Sequence, residues 1–176
     1  MIAWLGVPFV VRTADIDESW HDEAPHAYLE RITRAKLDAV RALDLGNATG
    51  VLVADTIVVA PDGGVLGKPR DDDDARAMIE RLAGAAHEVS TRFEIAPVVG
   101  PVSHAETVTT RVSFRAVTRQ EAAGYAVTGE GRDKAGAYAV QGRAAAFIQH
   151  IEGSYTSVVG LPLCEVVVAL RALGWL

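Results

Sequence analysis

Sulfur is scarce in this sequence. One cysteine, Cys164, and two methionines stand among 176 residues, which excludes an internal disulfide and fits a reducing compartment, so a cytoplasmic protein is expected. Set in "LPLCEVVVAL", Cys164 reads as a small core hydrophobe rather than a reactive thiol. No stretch of 18 apolar residues occurs and no secretory leader pattern is present, so neither a membrane partner nor export is indicated. Basic runs are lacking too: the formal net charge is −6 and the isoelectric point about 5.3, which argues against a nucleic-acid polymer as partner. An acidic protein that binds phosphates must concentrate its few cations locally. Repeats and low-complexity linkers are absent as well, so residues 1–176 are expected to form a single domain. With 49% hydrophobic and 23% charged residues, the chain is long enough to bury a real core.

What is present alternates between helix and strand signals. After an extended piece, "VPFVVRTADID", the segment from His26 to Leu43 carries a helical stripe of Leu29, Ile32, Ala39, Val40 and Leu43, with Pro25 suited to its first turn. Lys36 falls inside that stripe. It is either a lysine snorkelling to the core's edge or an ammonium aimed into a cleft at an anionic ligand, and spacing leaves both open. "VLVADTIVVA", residues 51–60, is β-branched and almost continuously apolar, as befits a strand covered on both faces. "PDGG" then turns the chain into a short second strand at "VLG". Four consecutive aspartates follow in "KPRDDDDARAMIERLAG". They fall where a helix begins and are expected to cap it rather than to bind metal, with Met78, Ile79 and Leu82 buried and Gly84 ending it.

Two longer strands are expected in "HEVSTRFEIAPVV" and "ETVTTRVSFRAV", the second alternating through Val108, Thr110, Val112 and Phe114. His87 at the start of the first has a structural role. Thr118 and Glu121 have capping-box spacing for a short helix ending near Gly129. "AAAFIQHI" resembles another strand, and "EGSYTSVVGLP" leads into a last helix, "LCEVVVALRALGW". The sum is a mixed α/β domain with helices on the faces of a long sheet.

Polar residues that interrupt apolar stretches mark a candidate site: Asp55, Lys36, Lys68 in "LGKP", Lys134 and Gln141 in "RDKAGAYAVQG", and Ser154 in "EGSY". A carboxylate within a buried run is normally paired, hydrogen-bonded or metal-bound, because desolvating it alone costs several kcal/mol. Ammonium groups and glycine loops beside it suit a phosphorylated ligand with a divalent cation. The glycines match neither a Walker loop nor the dinucleotide fingerprint.

"VADTIVV", "GGVLGKPRDDDDARAMIERLAGAAHEVSTRFEIA", "YAVTGEGRDKAGAYAVQG" and "FIQHIEGSYTSVVGLPL" together resemble the Maf family of nucleoside triphosphate pyrophosphatases, from about residue 5 to the C-terminus. The resemblance implies a two-lobed α/β fold with an elongated mixed sheet, akin to the inosine triphosphate pyrophosphatases, with a nucleotide cleft between the lobes. It implies hydrolysis of a nucleoside triphosphate to monophosphate and pyrophosphate with Mg²⁺ or Mn²⁺. It further assigns Asp55 as general base or metal-linked activator of water, Glu18 as a metal ligand with Asp55, Lys36 and Lys68 as catalytic and substrate-binding cations, and Gln141 as a substrate-binding residue. In the family, glutamine at the last position goes with dTTP and UTP, which is the substrate expectation here. A homodimer is likewise a family-level expectation.

The family's first strand and its Ser-x-Ser-Pro-Arg-Arg loop have no counterpart in "MIAWLGVPF". This departure sets an alternative expectation: a non-catalytic relative that binds a nucleotide or a partner, inactive for want of that phosphate-binding loop.

Overall fold

The computed structural model describes residues 1–176. A 3-10 turn, Ile2–Leu5, opens the chain, which then runs without regular secondary structure to Ala24. Five helices and five strands follow: α1 (Pro25–Arg41), β1 (Gly50–Val59), β2 (Val65–Leu66), α2 (Asp72–Leu82), β3 (Ala86–Pro97), β4 (His104–Phe114), α3 (Arg119–Ala126), β5 (Ile148–Glu152), α4 (Tyr155–Val159) and α5 (Leu163–Ala172). The strands form one sheet in the order β2-β1-β3-β4-β5. β1 pairs antiparallel with β2, Val58 facing Leu66, and β4 pairs antiparallel with β5, Val112 facing Ile151. Helices and sheet together make the mixed α/β architecture expected from the sequence.

Two compact units divide the chain. The first takes residues 1–55, 91–108 and 160–176. In it α1 buries Leu29, Ile32, Thr33 and Leu37, and Leu37 joins Val51, Val53 and Ala96 in one apolar cluster. A second cluster sets Val166, Ala169 and Leu170 of α5 against Phe93 and Ile95 of β3. Successive strand residues point to opposite faces, so β3 offers Phe93 and Ile95 to α5 and Ala96 to the α1 side. Glu94, fully buried, is satisfied by Arg34 at 2.8 Å and Arg92 at 3.1 Å, as a buried carboxylate requires.

The second unit takes residues 56–90 and 109–159. Its core gathers Val58, Leu66, Ile79, Leu82, Val89, Val112, Phe114, Tyr125, Tyr138 and Phe147. His87 lies within it, 2% exposed, its Nε2 at 2.8 Å from the Tyr138 hydroxyl and its ring edge-on to Phe114. α2 begins as the acidic run implied: the Asp71 side chain accepts from the Asp74 amide at 2.8 Å, and Asp72, Asp73 and Asp74 pair with Arg132, Arg76 and Arg70. Gly84 follows α2 with φ +71°, a left-handed value that glycine reaches without a Cβ penalty. α3 carries the full capping box, Thr118 accepting from the Glu121 amide and the Glu121 side chain from the Thr118 amide.

Several expectations are corrected. α1 ends at Arg41, so Leu43 lies beyond it and is 39% exposed; Leu37 takes the core position instead. The alanines of "AAAF" are not strand: Arg143–Phe147 form a 3-10 helix and β5 starts only at Ile148. Alanine favours helical backbone, and the first amides of that turn meet the Glu130 carboxylate. Cys164 is exposed, because α5 turns Val166, Ala169 and Leu170 to the core and a residue two before Val166 points about 200° away at 100° per residue. The stretch before α5 forms a helical turn of its own, Tyr155–Val159.

Candidate active site

In the first unit three charged residues far apart in sequence converge. Lys36 Nζ lies 2.8 Å from Glu18 Oε1 and 3.1 Å from Asp55 Oδ1. The side chains are 25%, 39% and 21% exposed respectively, so the group is partly shielded yet open to solvent. Lys36 is thus neither snorkelling freely nor opposite the core: it leaves the flank of α1 to serve two carboxylates. Burial works against its positive charge, but the hydrogen bond to Glu18 and the charge of Asp55 outweigh burial and raise its pKa. The lysine is an ammonium at any physiological pH.

Glu18 belongs to a segment without regular structure, and α1 straps that segment down. Tyr28 Oη donates to the Glu18 carbonyl at 2.9 Å, and Arg31 donates to the Ser19 carbonyl at 2.8 Å. Asp17 accepts from the Ser19 amide at 2.9 Å, closing a local turn. Trp20 packs its ring 4.9 Å from that of Tyr28. Burial first, then the negative charges of Asp55 and Glu18, push the Tyr28 hydroxyl's pKa up, so it remains a donor. Tyr28 and Arg31 were not among the residues singled out by sequence. The only signal was their i, i+3 spacing, which makes Tyr28 and Arg31 neighbours on the surface of α1.

Asp55 sits in the middle of β1, and this answers why an apolar run carries a charge. Its neighbours Val51 and Val53 are buried while Asp55 is half-buried: the strand leaves its apolar cluster at that point and meets Lys36.

The second unit holds the other sequence candidates on exposed loops. Lys68 follows β2; the hydrogen bond from Lys134 at 2.6 Å, with a lesser contribution from the charge of Lys68, holds the Asp133 carboxyl below its usual pKa. The Gly136 amide donates to the Gly67 carbonyl at 3.1 Å, tying the lysine loops together. Gly136 has φ +70° and Ala137 φ +60°, the latter a strained value for a residue with a Cβ. Gly131 closes against this turn, where an added Cβ would meet the Ala137 carbonyl oxygen at 2.0 Å. Gln141 is exposed at the outer corner of a turn whose Gly142 amide donates to the Ala139 carbonyl at 3.0 Å. Ser154, by contrast, is committed to structure: its amide donates to Thr110 Oγ1 at 3.0 Å and its hydroxyl accepts from the Ser157 amide at 3.3 Å.

Each unit therefore presents ammonium groups beside carboxylates on an α/β frame, the equipment of a protein that handles a polyanionic ligand. The family model described as Maf-like protein matches residues 1–173. The chain belongs to the Maf family. A dTTP/UTP pyrophosphatase of Hahella chejuensis is 48% identical over 99% of this chain and 86% of its own length. Proteins of the same name from Citrifermentans bemidjiense and Myxococcus xanthus are each 45% identical, covering 96% and 99% of this chain and 86% of their own lengths.

Proposed function

We propose that this chain hydrolyses dTTP and UTP to the monophosphate and pyrophosphate, with Asp55 activating the attacking water. The observation that carries this reading is the Glu18–Lys36–Asp55 cluster: two partly exposed carboxylates held about one ammonium, at 2.8 and 3.1 Å. The dTTP/UTP pyrophosphatase relatives support the substrate class.

A water oxygen attacks the α-phosphorus, its proton passes to Asp55, and the bond to the bridging oxygen of the β-phosphate breaks as pyrophosphate leaves. A carboxylate serves as base only while ionised. The Lys36 ammonium, 3.1 Å from Asp55, offsets charge gathering on the phosphoryl oxygens. Lys68 supplies a second cation for the phosphates, and Gln141 an amide for the base.

A divalent cation fits the residues present. Two carboxylates sharing one cation while open to solvent match Mg²⁺ or Mn²⁺, which keeps several waters and takes one or two carboxylates beside substrate phosphates. Glu18 and Asp55 would hold it. Bound there, the ion would supply Lewis-acid neutralisation of phosphate charge.

The test is pyrophosphate release from dTTP, UTP, CTP and 7-methyl-GTP with Mg²⁺ or Mn²⁺. Preference for dTTP and UTP, with an Asp55→Asn loss on the order of 10²–10⁴-fold at unchanged melting temperature, is the expected outcome. Full activity in the variant would remove Asp55 from its role, and preference for 7-methyl-GTP would overturn the substrate assignment.

A further inference from the structure

A glutamine amide both donates and accepts, so it can answer the edge of thymine and uracil or, turned over, that of cytosine. Selectivity therefore depends on how firmly the backbone beneath Gln141 is held. The turn Ala139–Gly142 is fastened at both ends. At its start the Ala139 amide donates to Tyr125 Oη at 3.1 Å. Just past its end the Arg143 amide donates to Glu130 Oε2 at 3.0 Å and the Ala144 amide to Glu130 Oε1 at 3.4 Å. The two fastenings are joined, because Tyr125 Oη donates to Glu130 Oε1 at 3.0 Å.

From these contacts we infer that Glu130 and Tyr125 form a clamp that positions Gln141 and so sets pyrimidine selectivity. The inference rests on the reading of Gln141 as the base-contacting residue.

Three features support a dedicated device. Glu130 is the outside cap of the 3-10 helix Arg143–Phe147, which has no side-chain cap at its own N-cap, Gly142; orphan amides at a helix start need such an acceptor. Gly142 has no Cβ to spare: one added there would lie 2.3 Å from Glu130 Oε1, so the carboxylate reaches its amides only over a glycine. Finally, Tyr125 is 5% exposed and its ring packs on Phe147 at a centroid distance of 5.5 Å, which fixes the hydroxyl by the core rather than by solvent. Burial holds the Tyr125 proton in place. The Glu130 carboxyl, despite its own partial burial, is kept ionised by the Arg143 amide, Tyr125 and the Ala144 amide.

The experiment compares dTTP with CTP in Glu130→Gln, Tyr125→Phe, Gly142→Ala, Gln141→Ala and the Glu130→Gln/Gln141→Ala double variant. kcat/KM ratios are measured together with the dissociation constants of the α,β-methylene analogues. In Glu130→Gln the amide cannot accept as a carboxylate does and turns donors towards the donors it faces. The expected result is a fall in the dTTP:CTP ratio on the order of tenfold, shared by Tyr125→Phe and Gly142→Ala, with no further fall in the double variant.

A merely loosened fold would lower both substrates together and leave the ratio alone; that result overturns the clamp, and additivity in the double variant does the same. Should Glu130→Gln not fold, Tyr125→Phe decides by the same ratio. An unchanged ratio in Gln141→Ala overturns both the base-contacting reading and the clamp. If the analogues bind selectively but nothing is hydrolysed, the hydrolase reading fails alone, and the binding ratios still decide the clamp.

Discussion

Lys36 serves two carboxylates with one nitrogen, and that choice has a measurable price for metal binding. Its ammonium occupies the position between Glu18 and Asp55 that a divalent ion would compete for, with contacts of 2.8 and 3.1 Å. Replacing it with methionine keeps the stem's packing but leaves two carboxylates without their shared cation. Manganese affinity of the nucleotide-free Lys36→Met protein, followed by electron paramagnetic resonance, is expected to rise about tenfold. Turnover should fall on the order of a hundredfold for want of the cation at the phosphates. Unchanged or weaker manganese binding would show that Lys36 does not compete with metal there. The residues of this cluster were legible as types, a carboxylate in an apolar run and a lysine in a helical stripe. Their meeting was expected from the family resemblance alone and not from any local pattern, since Glu18 lies in a stretch without periodicity that the strap of Tyr28 and Arg31 holds against α1.

Helices were legible where local chemistry starts them and blurred where the core ends them. α3 shows the first case. Thr118 and Glu121 form both halves of a capping box, and Arg115 joins Glu121 at 2.7 Å. The Arg115 bond, followed by the amide and hydroxyl of Thr118, lowers the Glu121 pKa to about 2, so the box stays formed in mild acid. Thr118→Ala removes the acceptor for the Glu121 amide and is expected to cost about 1 kcal/mol of unfolding free energy. Urea denaturation measures this, and a loss well under 0.3 kcal/mol, where replacement is near neutral, would mean that solvent replaces the cap. The 3-10 helix Arg143–Phe147 is instead a start that no neighbouring residue marks. Its alanines allow helix or strand, and its acceptor, Glu130, stands 13 residues before Arg143.

Across the whole molecule, burial decides the response to acid. His87 is 2% exposed, its Nδ1 has no hydrogen-bond partner, and burial lowers its pKa from 6.5 to about 4. A second ring proton would find no acceptor. As pH falls below 6.5 the unfolded chain takes up a proton that the folded chain refuses, so stability is lost down to about pH 4, where the native ring also protonates. The loss amounts to about 3 kcal/mol. Unfolding free energies measured from pH 7 to 4 should show this limb, and His87→Phe should flatten it while leaving the Tyr138 hydroxyl without its ring partner. A limb of equal depth in the variant would assign acid sensitivity to other groups.

By itself the sequence determined the class of fold, the strands and most helix starts, because period, β-branching, capping residues and turn glycines act over a few neighbours. It also identified by type the groups proposed for phosphate chemistry. Tertiary structure decided what depends on distant partners. It stops α1 at Arg41 and turns Cys164 outward, because core shape selects among faces that periodicity leaves equivalent. It joins Glu18 to Lys36 and Asp55, and it sets Tyr125 and Glu130 beneath the Gln141 turn. Such meetings are fixed by where helices and strands pack, and no local pattern carries that information.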